Sequence, residues 1–409
     1  MAVDELTFDP SDPATIRNPH PIFARLRAED PVHWSEPMSG WIVTGYDDIV
    51  EGLTSSDVFS AERLTNVRKH LPAGAQAAAE DILRYLTSWM VFRDPPDHTR
   101  LRRHMAGVLN LPTFESLRGS VSELTTMLLD DLPTSDVIDM LPHFSILLPG
   151  MVVMQLMGVE RDRLLEVKRW SDDMMLFIGS ARGVPDKYER ARRGATSMAT
   201  LFKELIAKRR AVPQDDMLSQ LIASEVDGRG LDDDELVGCL MMVLNGGHET
   251  TANLINNSLL ALAHNPDTLA FLRNNPGGMQ LAVEEFLRYD SPILSLGRIV
   301  KEDTDLGGKQ MSAGERAFFM LLSANRDEEV FDDPHRLDVT RDPNPHMAFG
   351  KGPHFCLGTP LARIEGQIVI QEIIQRYSSI ELAEPVENLP WINSLVTRGP
   401  ARIPLRLKK

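Results

Sequence analysis

A ten-residue loop near the carboxyl end, 349–358, most constrains what this chain can fold into. It reads Phe-Gly-Lys-Gly-Pro-His-Phe-Cys-Leu-Gly and holds Cys356, one of only two cysteines. Its three glycines and one proline predict a loop in which the backbone comes close to another group. A helix is expected to follow, because Thr359 can cap it, Pro360 suits its first turn and apolar residues then recur at helical spacing.

Cys356 is therefore expected just before a helix N-terminus. The partial positive charge at such an end favours a thiolate over a thiol. A thiolate can attack carbon or bind a metal. A free cysteine can also be a small buried hydrophobic residue with no chemistry of its own, and the residues of the loop alone leave both interpretations open.

The loop resembles the haem-ligand loop of the cytochrome P450 family, which Phe349, Gly352, Cys356 and Gly358 match residue for residue. In that family the cysteine thiolate is the proximal iron ligand and favours cleavage of the O–O bond. The resemblance covers nearly the whole chain. It implies haem b as the cofactor, with Cys356 as the metal ligand and Phe349 among the haem-binding residues.

The resemblance also implies the fold class: mainly α with a minor β part, in a helix-rich triangular prism with a long central helix over the haem. We expect one domain, 1–409. Its helical bulk is predicted at roughly 94–291 and 358–378, and its β-rich subregion at roughly 30–60, 295–325 and 380–409. Two finer predictions are a helix over 18–28 and a β-hairpin that pairs 32–34 with 41–44. The Ala-rich stretch 68–89 has no clear assignment.

Bulk properties exclude several classes. The net charge of −16 argues against a nucleic-acid partner. Two cysteines make no disulfide framework, so a reducing compartment is expected. Segment 1–12 is acidic and has no signal-peptide core, and the longest apolar runs, 146–154 and 236–244, are far short of a membrane span. We expect a cytoplasmic monomer of the soluble bacterial type, with no membrane partner.

A long central helix is predicted from the capping pair Asp232 and Glu235 to about His264, roughly 33 residues or about 50 Å. Its apolar start predicts burial. Two glycines, 246 and 247, then interrupt it at a cost of about 1 kcal/mol each. A carboxylate, Glu249, follows, and it is costly in a buried helix unless paired. Residues that are unfavourable in a buried helix indicate a functional site. A glycine-lined crossing of two helices, with the carboxylate paired to a polar group, would also explain them.

The same residues match the family's oxygen-activation motif. The resemblance implies that Gly246 and Gly247 let a locally bent helix pass close over the haem, and that Glu249 and Thr250 are the acid and alcohol of a proton relay. Gly246 stands where alanine is commoner in the family, and both residues are small.

Haem carries two propionates, which need cations or hydrogen-bond donors. His98 and Arg102 are four residues apart and share a helix face. They match the family's propionate-binding pair, and Arg298 and His354 match two further ligands. Any one of these four residues, considered alone, could equally be a solvated residue on the surface. A structural network is implied for Glu285, Arg288 and Arg341, which supports the cysteine loop.

By position in the family, an apolar substrate pocket is expected on the distal side, which implies a small apolar organic substrate and either hydroxylation or epoxidation. The alternative is that these side chains are ordinary core. The pocket candidates are Trp89, Phe92, Met242, Asn245, Leu294, Leu296 and Leu395.

No flavin or iron–sulfur domain fits into a chain already occupied by this fold, and two cysteines cannot hold a cluster. A separate ferredoxin or flavodoxin is therefore expected to bring electrons from NAD(P)H. A basic patch of Arg100, Arg103 and Lys351 is the predicted docking face. A peroxide-driven peroxygenase and a non-catalytic haem protein remain alternatives, but neither needs the pair Glu249–Thr250. A cysteine hydrolase is the most distant alternative.

Overall fold

The computed structural model describes residues 6–69, 71–72, 74–178, 184 and 186–409. Its helices are, in chain order, α1 Pro13–Arg17, α2 His20–Glu29, α3 Tyr46–Thr54, α4 Leu64–Lys69, α5 Gln76–Leu86, α6 Asp97–Val108, α7 Leu111–Ser116, α8 Arg118–Asp130, α9 Leu147–Met157, α10 Leu164–Ile178, α11 Lys187–Ala211, α12 Met217–Ala223, α13 Asp233–His264, α14 Pro266–Asn274, α15 Met279–Tyr289, α16 Leu321–Ala324 and α17 Thr359–Arg376.

The strands are short and few beside these helices, so the described chain is mainly α with a minor β part, as predicted. They are β1 Val32–Ser35, β2 Gly40–Val43, β3 Phe59–Ser60, β4 Ile138–Asp139, β5 Leu296–Val300, β6 Thr304–Leu306, β7 Lys309–Met311, β8 Arg316–Phe319, β9 Ser379–Leu382 and β10 Pro404–Lys408.

The largest sheet has the order β1-β2-β8-β5-β3. The predicted hairpin is confirmed, because β1 and β2 pair antiparallel with Val32 opposite Val43. Strand β8 lies parallel to β2 and antiparallel to β5. Arg298 lies opposite Ala317 in the β5–β8 ladder, and this pairing fixes where its side chain leaves the sheet. Two smaller sheets, β4-β10-β9 and β6-β7, complete the β part of the described residues.

Helix α13 is the long central helix that the sequence predicts. The Asp232 side chain accepts a hydrogen bond from the Glu235 amide, and the Glu235 carboxylate accepts one from the Asp232 amide, so the predicted capping box is present. The helix has 32 residues, or about 48 Å. It is buried from Leu236 to Met242, as its apolar sequence predicts.

Two stretches differ from the prediction at the level of single elements. The unassigned stretch 68–89 contains α5, which buries Ala78, Ile82 and Leu86 along one face. Small alanines carry little hydrophobic signal, so its pattern was weak in the sequence. The helix predicted at 18–28 is α2, and a separate helix, α1, precedes it because Asp12 caps it with its side chain.

The predicted network of Glu285, Arg288 and Arg341 is confirmed. Glu285 and Arg288 are fully buried and joined by two hydrogen bonds of 2.7 and 2.8 Å. Arg341 Nε lies 3.3 Å from Glu285 Oε2. The Arg288 guanidinium also donates to the carbonyl of Asn325, whose own side chain accepts the Met347 amide. The network therefore holds the segment that leads into the cysteine loop.

No helix among the residues described here combines the length and apolarity that crossing a bilayer requires.

Candidate active site

The cysteine loop approaches α3 so closely that glycine is required. Gly350 and Gly352 have φ angles of +71° and +68°, which favour glycine. A Cβ on Gly352 would lie 2.6 Å from the Leu53 carbonyl oxygen. The loop closes on itself where the Cys356 amide donates to the Phe349 carbonyl at 3.1 Å. Both glycines thus let the loop lie against the preceding elements with Cys356 held at its end.

Cys356 stands at the start of α17, as predicted, but the cap differs. Gly358 is the N-cap residue and caps with no side chain, while the Thr359 hydroxyl donates to the Cys356 carbonyl at 2.9 Å. The expected cap at Thr359 is therefore wrong, because the helix begins at Thr359 itself.

The Cys356 side chain is exposed, yet enough protein surrounds the sulfur that burial raises the pKa of the thiol. The amides of Gly358 and Thr359 and the charge of Arg102 lower that pKa in turn. The protein alone thus leaves the thiol protonated, and a thiolate needs a further positive charge, which a bound metal ion supplies.

Four side chains with the predicted propionate role come together beside this loop. The His98 and His354 rings lie 4.2 Å apart, and the charges of Arg298 and Arg102 both act on His354. Burial, and after it these charges, lower the pKa of His354 to about 3. Both ring nitrogens of His98 and Nε2 of His354 are buried without a hydrogen-bond partner in the described part of the chain.

A fifth side chain, the cation Arg63, lies in the same cluster and had no signal in the sequence. Its charge acts on both His354 and Arg298, and burial lowers its own pKa to about 10. The guanidinium stacks over the Phe92 ring at 5.1 Å, and its buried Nε has no partner within the described residues. Arg63 follows β3 in a segment with no motif, so only the folded chain brings it here.

We call these five side chains, Arg63, His98, Arg102, Arg298 and His354, the cationic cluster. The negative charge of Asp94 acts on His98 and Arg298 of this cluster. The Asp94 carboxylate, however, accepts its hydrogen bonds from the Ser60 hydroxyl and the Ala61 amide. Buried cations with unpartnered donors are costly unless an anion joins them. The cluster therefore fits a group with more than one carboxylate, and the two propionates of haem meet that requirement.

Helix α13 continues without a break through Gly246 and Gly247. A Cβ on Gly246 would meet nothing within 4 Å, so that face of the helix is open. A Cβ on Gly247 would lie 2.7 Å from Cγ2 of Val153 on α9. The two glycines therefore differ: one faces open space and the other permits a close helix crossing.

Glu249 and Thr250 each have a hydrogen-bond partner other than one another. The Thr250 hydroxyl donates to the Gly246 carbonyl at 2.7 Å. Glu249 Oε1 accepts a hydrogen bond from the Thr397 hydroxyl at 2.9 Å. Burial raises the pKa of the Glu249 carboxyl, and the Thr397 hydrogen bond partly offsets this. Thr397 lies 148 positions further along the chain, so sequence reasoning had no means of pairing the two.

The candidate pocket residues lie on several elements, and their shared role in one substrate pocket stays a prediction. Trp89 and Phe92 are stacked at 6.0 Å, and Met242 is buried in the same large core. Leu294 and Leu395 line a cavity beside the N-terminal segment.

Leu296 lies on β5, with Cδ1 3.4 Å from the place of a Cβ on Gly350 in the cysteine loop. Asn245 is buried, and both of its polar atoms form hydrogen bonds inside the protein. Its Oδ1 accepts from the Ser171 hydroxyl and its Nδ2 donates to the Met241 carbonyl, both at 2.7 Å. Asn245 thus ties α13 to α10.

The predicted basic docking patch is largely neutralised. Arg100 forms an ion pair with Glu235, and Arg103 forms one with Asp227 at 3.1 Å. Both partners are far away in sequence, so the arginines looked unpaired there. Lys351 keeps its place in the cysteine loop.

The family model for cytochrome P450 matches residues 59–276 and 279–404. This chain belongs to the cytochrome P450 family, and the resemblance of the cysteine loop is confirmed. Membership of the family implies a haem cofactor, and the cationic cluster and Cys356 fit that cofactor.

Curated relatives and solved structures agree. The chain is 35% identical over 403 residues to cytochrome P450 107B1 of Saccharopolyspora erythraea, covering 97% of this chain and 96% of that protein. It is 34% identical to 6-deoxyerythronolide B hydroxylase of the same organism, over 90% of each. The structure of P450BioI in complex with an acyl carrier protein that carries hexadec-9Z-enoic acid superposes with a TM-score of 0.88 at 32% identity, covering 97% of this chain and 99% of that one. The chain is thus a haem-thiolate monooxygenase with the cytochrome P450 fold.

Proposed function

We propose that this enzyme inserts one oxygen atom into an apolar organic substrate, by hydroxylation or epoxidation, with electrons from a separate ferredoxin or flavodoxin. One substrate molecule, one O2, two electrons and two protons give one oxygenated product and one water. The electrons come from NAD(P)H through the partner proteins. The observation that carries the proposal is the position of Cys356 beside a buried cationic cluster that lacks an anion.

In this proposal haem b supplies O2 binding and activation at its iron, through the Cys356 thiolate. The cationic cluster holds the two propionates by charge-assisted hydrogen bonds. Its unpartnered donors, on His98, His354 and Arg63, become satisfied, and Arg102 places positive charge beside the sulfur. Phe349 packs at the start of the loop, and the open face of Gly246 leaves room for the flat group.

Glu249 and Thr250 are proposed to deliver the two protons. They lie on the same turn of α13 that begins at Gly246. Because burial raises the pKa of Glu249, this carboxyl keeps a proton to higher pH than an ordinary glutamate and can act as a proton donor. The Thr250 hydroxyl, oriented by the Gly246 carbonyl, can pass a proton on through its oxygen.

The substrate is proposed to be apolar or amphipathic. Trp89, Phe92 and Met242 are apolar and buried, and the candidates Leu294, Leu296 and Leu395 are leucines. A relative that matches over 90% of each chain is named 6-deoxyerythronolide B hydroxylase, which supports hydroxylation of an organic substrate here. For electron delivery, the cysteine loop itself is the proposed docking face, because Lys351 lies there while Arg100 and Arg103 are paired elsewhere.

The test uses one purified holoprotein in a spectral titration and in two turnover conditions. It is titrated with terpenoids, steroids, aromatics, fatty acids and macrolides, and any compound that moves the Soret band towards the high-spin position is turned over. Product formation is measured with a ferredoxin, its reductase and NADPH, and separately with hydrogen peroxide alone. We expect product with the reductase system. Product with peroxide alone would indicate a peroxygenase, and no product in either condition, although the Soret band shifts, would indicate a binding protein.

A further inference from the structure

We propose that Thr397 is the positioning residue of the proton relay, which holds the Glu249 carboxyl and connects it to water that enters between the N-terminal segment and the C-terminal turn. This turn comprises residues 394–398. The inference rests on the proposed role of Glu249, and the experiment below separates the two.

The contact itself is direct. The Thr397 hydroxyl donates to Glu249 Oε1 at 2.9 Å, and both residues are largely buried. No other hydrogen bond to the Glu249 carboxyl occurs among the described residues. A hydroxyl has one proton to donate and lone pairs that accept, so a proton can reach this carboxyl through Thr397 without any group leaving its place.

The turn that carries Thr397 is held from several sides. Its amide donates to the Ser394 hydroxyl at 3.1 Å, and the next amide, of Arg398, donates to the Pro292 carbonyl at 2.8 Å. Asn257 of α13 donates to the Arg398 carbonyl at 3.2 Å, so the helix that carries Glu249 also holds the turn.

The Arg398 side chain adds a second anchor. It forms an ion pair with Asp290 at 2.7 Å and donates to the carbonyls of Ile16 and Arg17 at 3.2 Å. The guanidinium also lies 4.0 Å from the centre of the Trp391 ring. The Thr397 hydroxyl is therefore placed by the fold, which is what a relay requires.

A cavity lies on the other side of this turn. It is partly enclosed and is lined by Thr397 together with Thr15, Ser394, Arg398, Leu294 and Leu395. It has room for about one water molecule and offers the polar partners that such a water needs. Because Thr397 belongs both to the cavity wall and to the hydrogen bond with Glu249, it is the side chain that connects the two.

A hydronium ion in the cavity gives a proton to the Thr397 oxygen and becomes water, while the original hydroxyl proton moves to the Glu249 carboxylate. One O–H bond forms and one breaks at Thr397, and rotation of the hydroxyl towards Glu249 restores the starting arrangement. Glu249, having donated its proton towards the oxygen-activation site, is protonated again.

Burial is the largest cause of the raised pKa of Glu249, and two charged groups of α10 also act on it: Asp172 raises this pKa and Lys168 lowers it. His248, the preceding residue on α13, is neutral because burial lowers its pKa to about 4. The Thr397 hydrogen bond stabilises the ionised carboxylate. Removing the hydroxyl therefore raises the pKa of Glu249 further, and the alkaline limb of the pH profile moves to higher pH.

The experiment uses the reconstituted holoenzyme with a substrate found by the Soret titration. Four variants are compared: Thr397→Val, Thr397→Ser, Thr397→Ala and Glu249→Gln. The Ser and Ala variants differ from each other by the hydroxyl alone. Thr125→Val is the matched control, because Thr125 is a buried threonine on α8 whose hydroxyl donates to the Val121 carbonyl, far from Glu249 in the sequence. Product per NADPH, peroxide released and the pH profile are measured.

We expect Thr397→Val and Thr397→Ala to lose about tenfold in product per NADPH, with the difference appearing as peroxide. Thr397→Ser should restore coupling and the pH profile, and Thr125→Val should match the unaltered protein. If Glu249→Gln uncouples while Thr397→Ala does not, the inference is overturned and the function stands. If Glu249→Gln stays coupled, the relay assignment itself fails. If Thr397→Val loads no haem, the Ser and Ala pair decides alone.

Discussion

Two groups of charged side chains in this molecule differ in whether their charges are paired within the protein. In the first, the charges are paired: Glu285 and Arg288 are joined by hydrogen bonds, Arg288 also donates to the Asn325 carbonyl, and Arg341 lies within ion-pair distance of Glu285. In the second, the cationic cluster, five positive or potentially positive groups face one another with donors left unpartnered. The contrast teaches how to separate a structural network from a ligand site. In a network, opposite charges of the protein pair with one another. In a ligand site, charges of one sign lie together and need the opposite charge of a ligand.

The largest effect on stability is expected from breaking the network of Glu285, Arg288 and Arg341. Glu285→Ala leaves the Arg288 cation buried without its carboxylate, and should lower the free energy of unfolding by about 3–5 kcal/mol. Urea denaturation of the holoprotein measures it. The matched control is Glu115→Ala, because Glu115 and Arg118 have the same three-residue spacing but are exposed, and it should leave the unfolding midpoint unchanged. Equal losses in both variants would contradict the distinction.

A smaller effect of opposite sign is expected in the cationic cluster. Arg298→Leu removes a buried cation, so the haem-free protein should become more stable, while the holoprotein should lose haem about tenfold to a hundredfold faster, as a lost charge-assisted hydrogen bond predicts. Haem transfer to apomyoglobin gives the rate, and urea denaturation gives the stability of the haem-free form. Arg63→Leu should change both quantities in the same directions. A haem-free form destabilised by both variants would show that the cluster is a structural network after all.

Glu365 on α17 sharpens the comparison, because it is buried and neither oxygen has a partner in the described structure. Burial raises its pKa from 4.5 to about 8. The folded state therefore keeps a proton that the unfolded state releases above pH 4.5, and Glu365 should reduce stability as the pH rises from about 4.5 to 8, by at most about 1.4 kcal/mol per pH unit. The difference in unfolding free energy between Glu365→Gln and the unaltered protein, measured at several pH values, should grow over that window and level off above it. A difference independent of pH would mean that the carboxyl is ionised in the fold.

The smallest effects on stability are expected at the two glycines of α13. Gly247 is packed against another helix, whereas Gly246 faces open space. Gly247→Ala should destabilise the protein by roughly 1 kcal/mol, because its Cβ would meet Val153 at 2.7 Å. In the haem-free protein, Gly246→Ala should be neutral or slightly stabilising, because alanine favours a helix and no protein atom lies within 4 Å of the added Cβ. Thermal denaturation of both variants, with the haem content recorded, tests this. A larger loss at Gly246 would reverse the assignment of the two faces.

Local features were predictable from the sequence, and long-range pairings without a motif were not. The capping box of Asp232 and Glu235 and the hairpin of β1 and β2 depend on residues close together in the chain. The Glu285 network reaches Arg341, and it could be predicted because the family resemblance supplied the partner. Arg63 and Thr397 have neither advantage, since each acquires its role only when distant segments pack.

The same reasoning explains the errors. Arg100 and Arg103 looked like a free basic patch because their carboxylate partners, Glu235 and Asp227, follow more than a hundred positions later. Thr359 looked like a cap because sequence patterns locate helix ends only to within a residue or two. The roles of the cationic cluster, of Glu249 and Thr250 and of the pocket residues, and the extent of the single domain, stay predictions until the experiments above.

If the haem propionates neutralise the cationic cluster, as proposed, then the lifetime of this protein is tied to metabolism. A ligand that binds only the folded state stabilises it in proportion to the logarithm of its free concentration. A chain that relies on haem to neutralise its buried cations is therefore most stable where haem is plentiful. When haem is scarce, the unfolded fraction rises and proteases remove the chain. The amount of enzyme in a cell should then follow the supply of its cofactor, without any dedicated regulator.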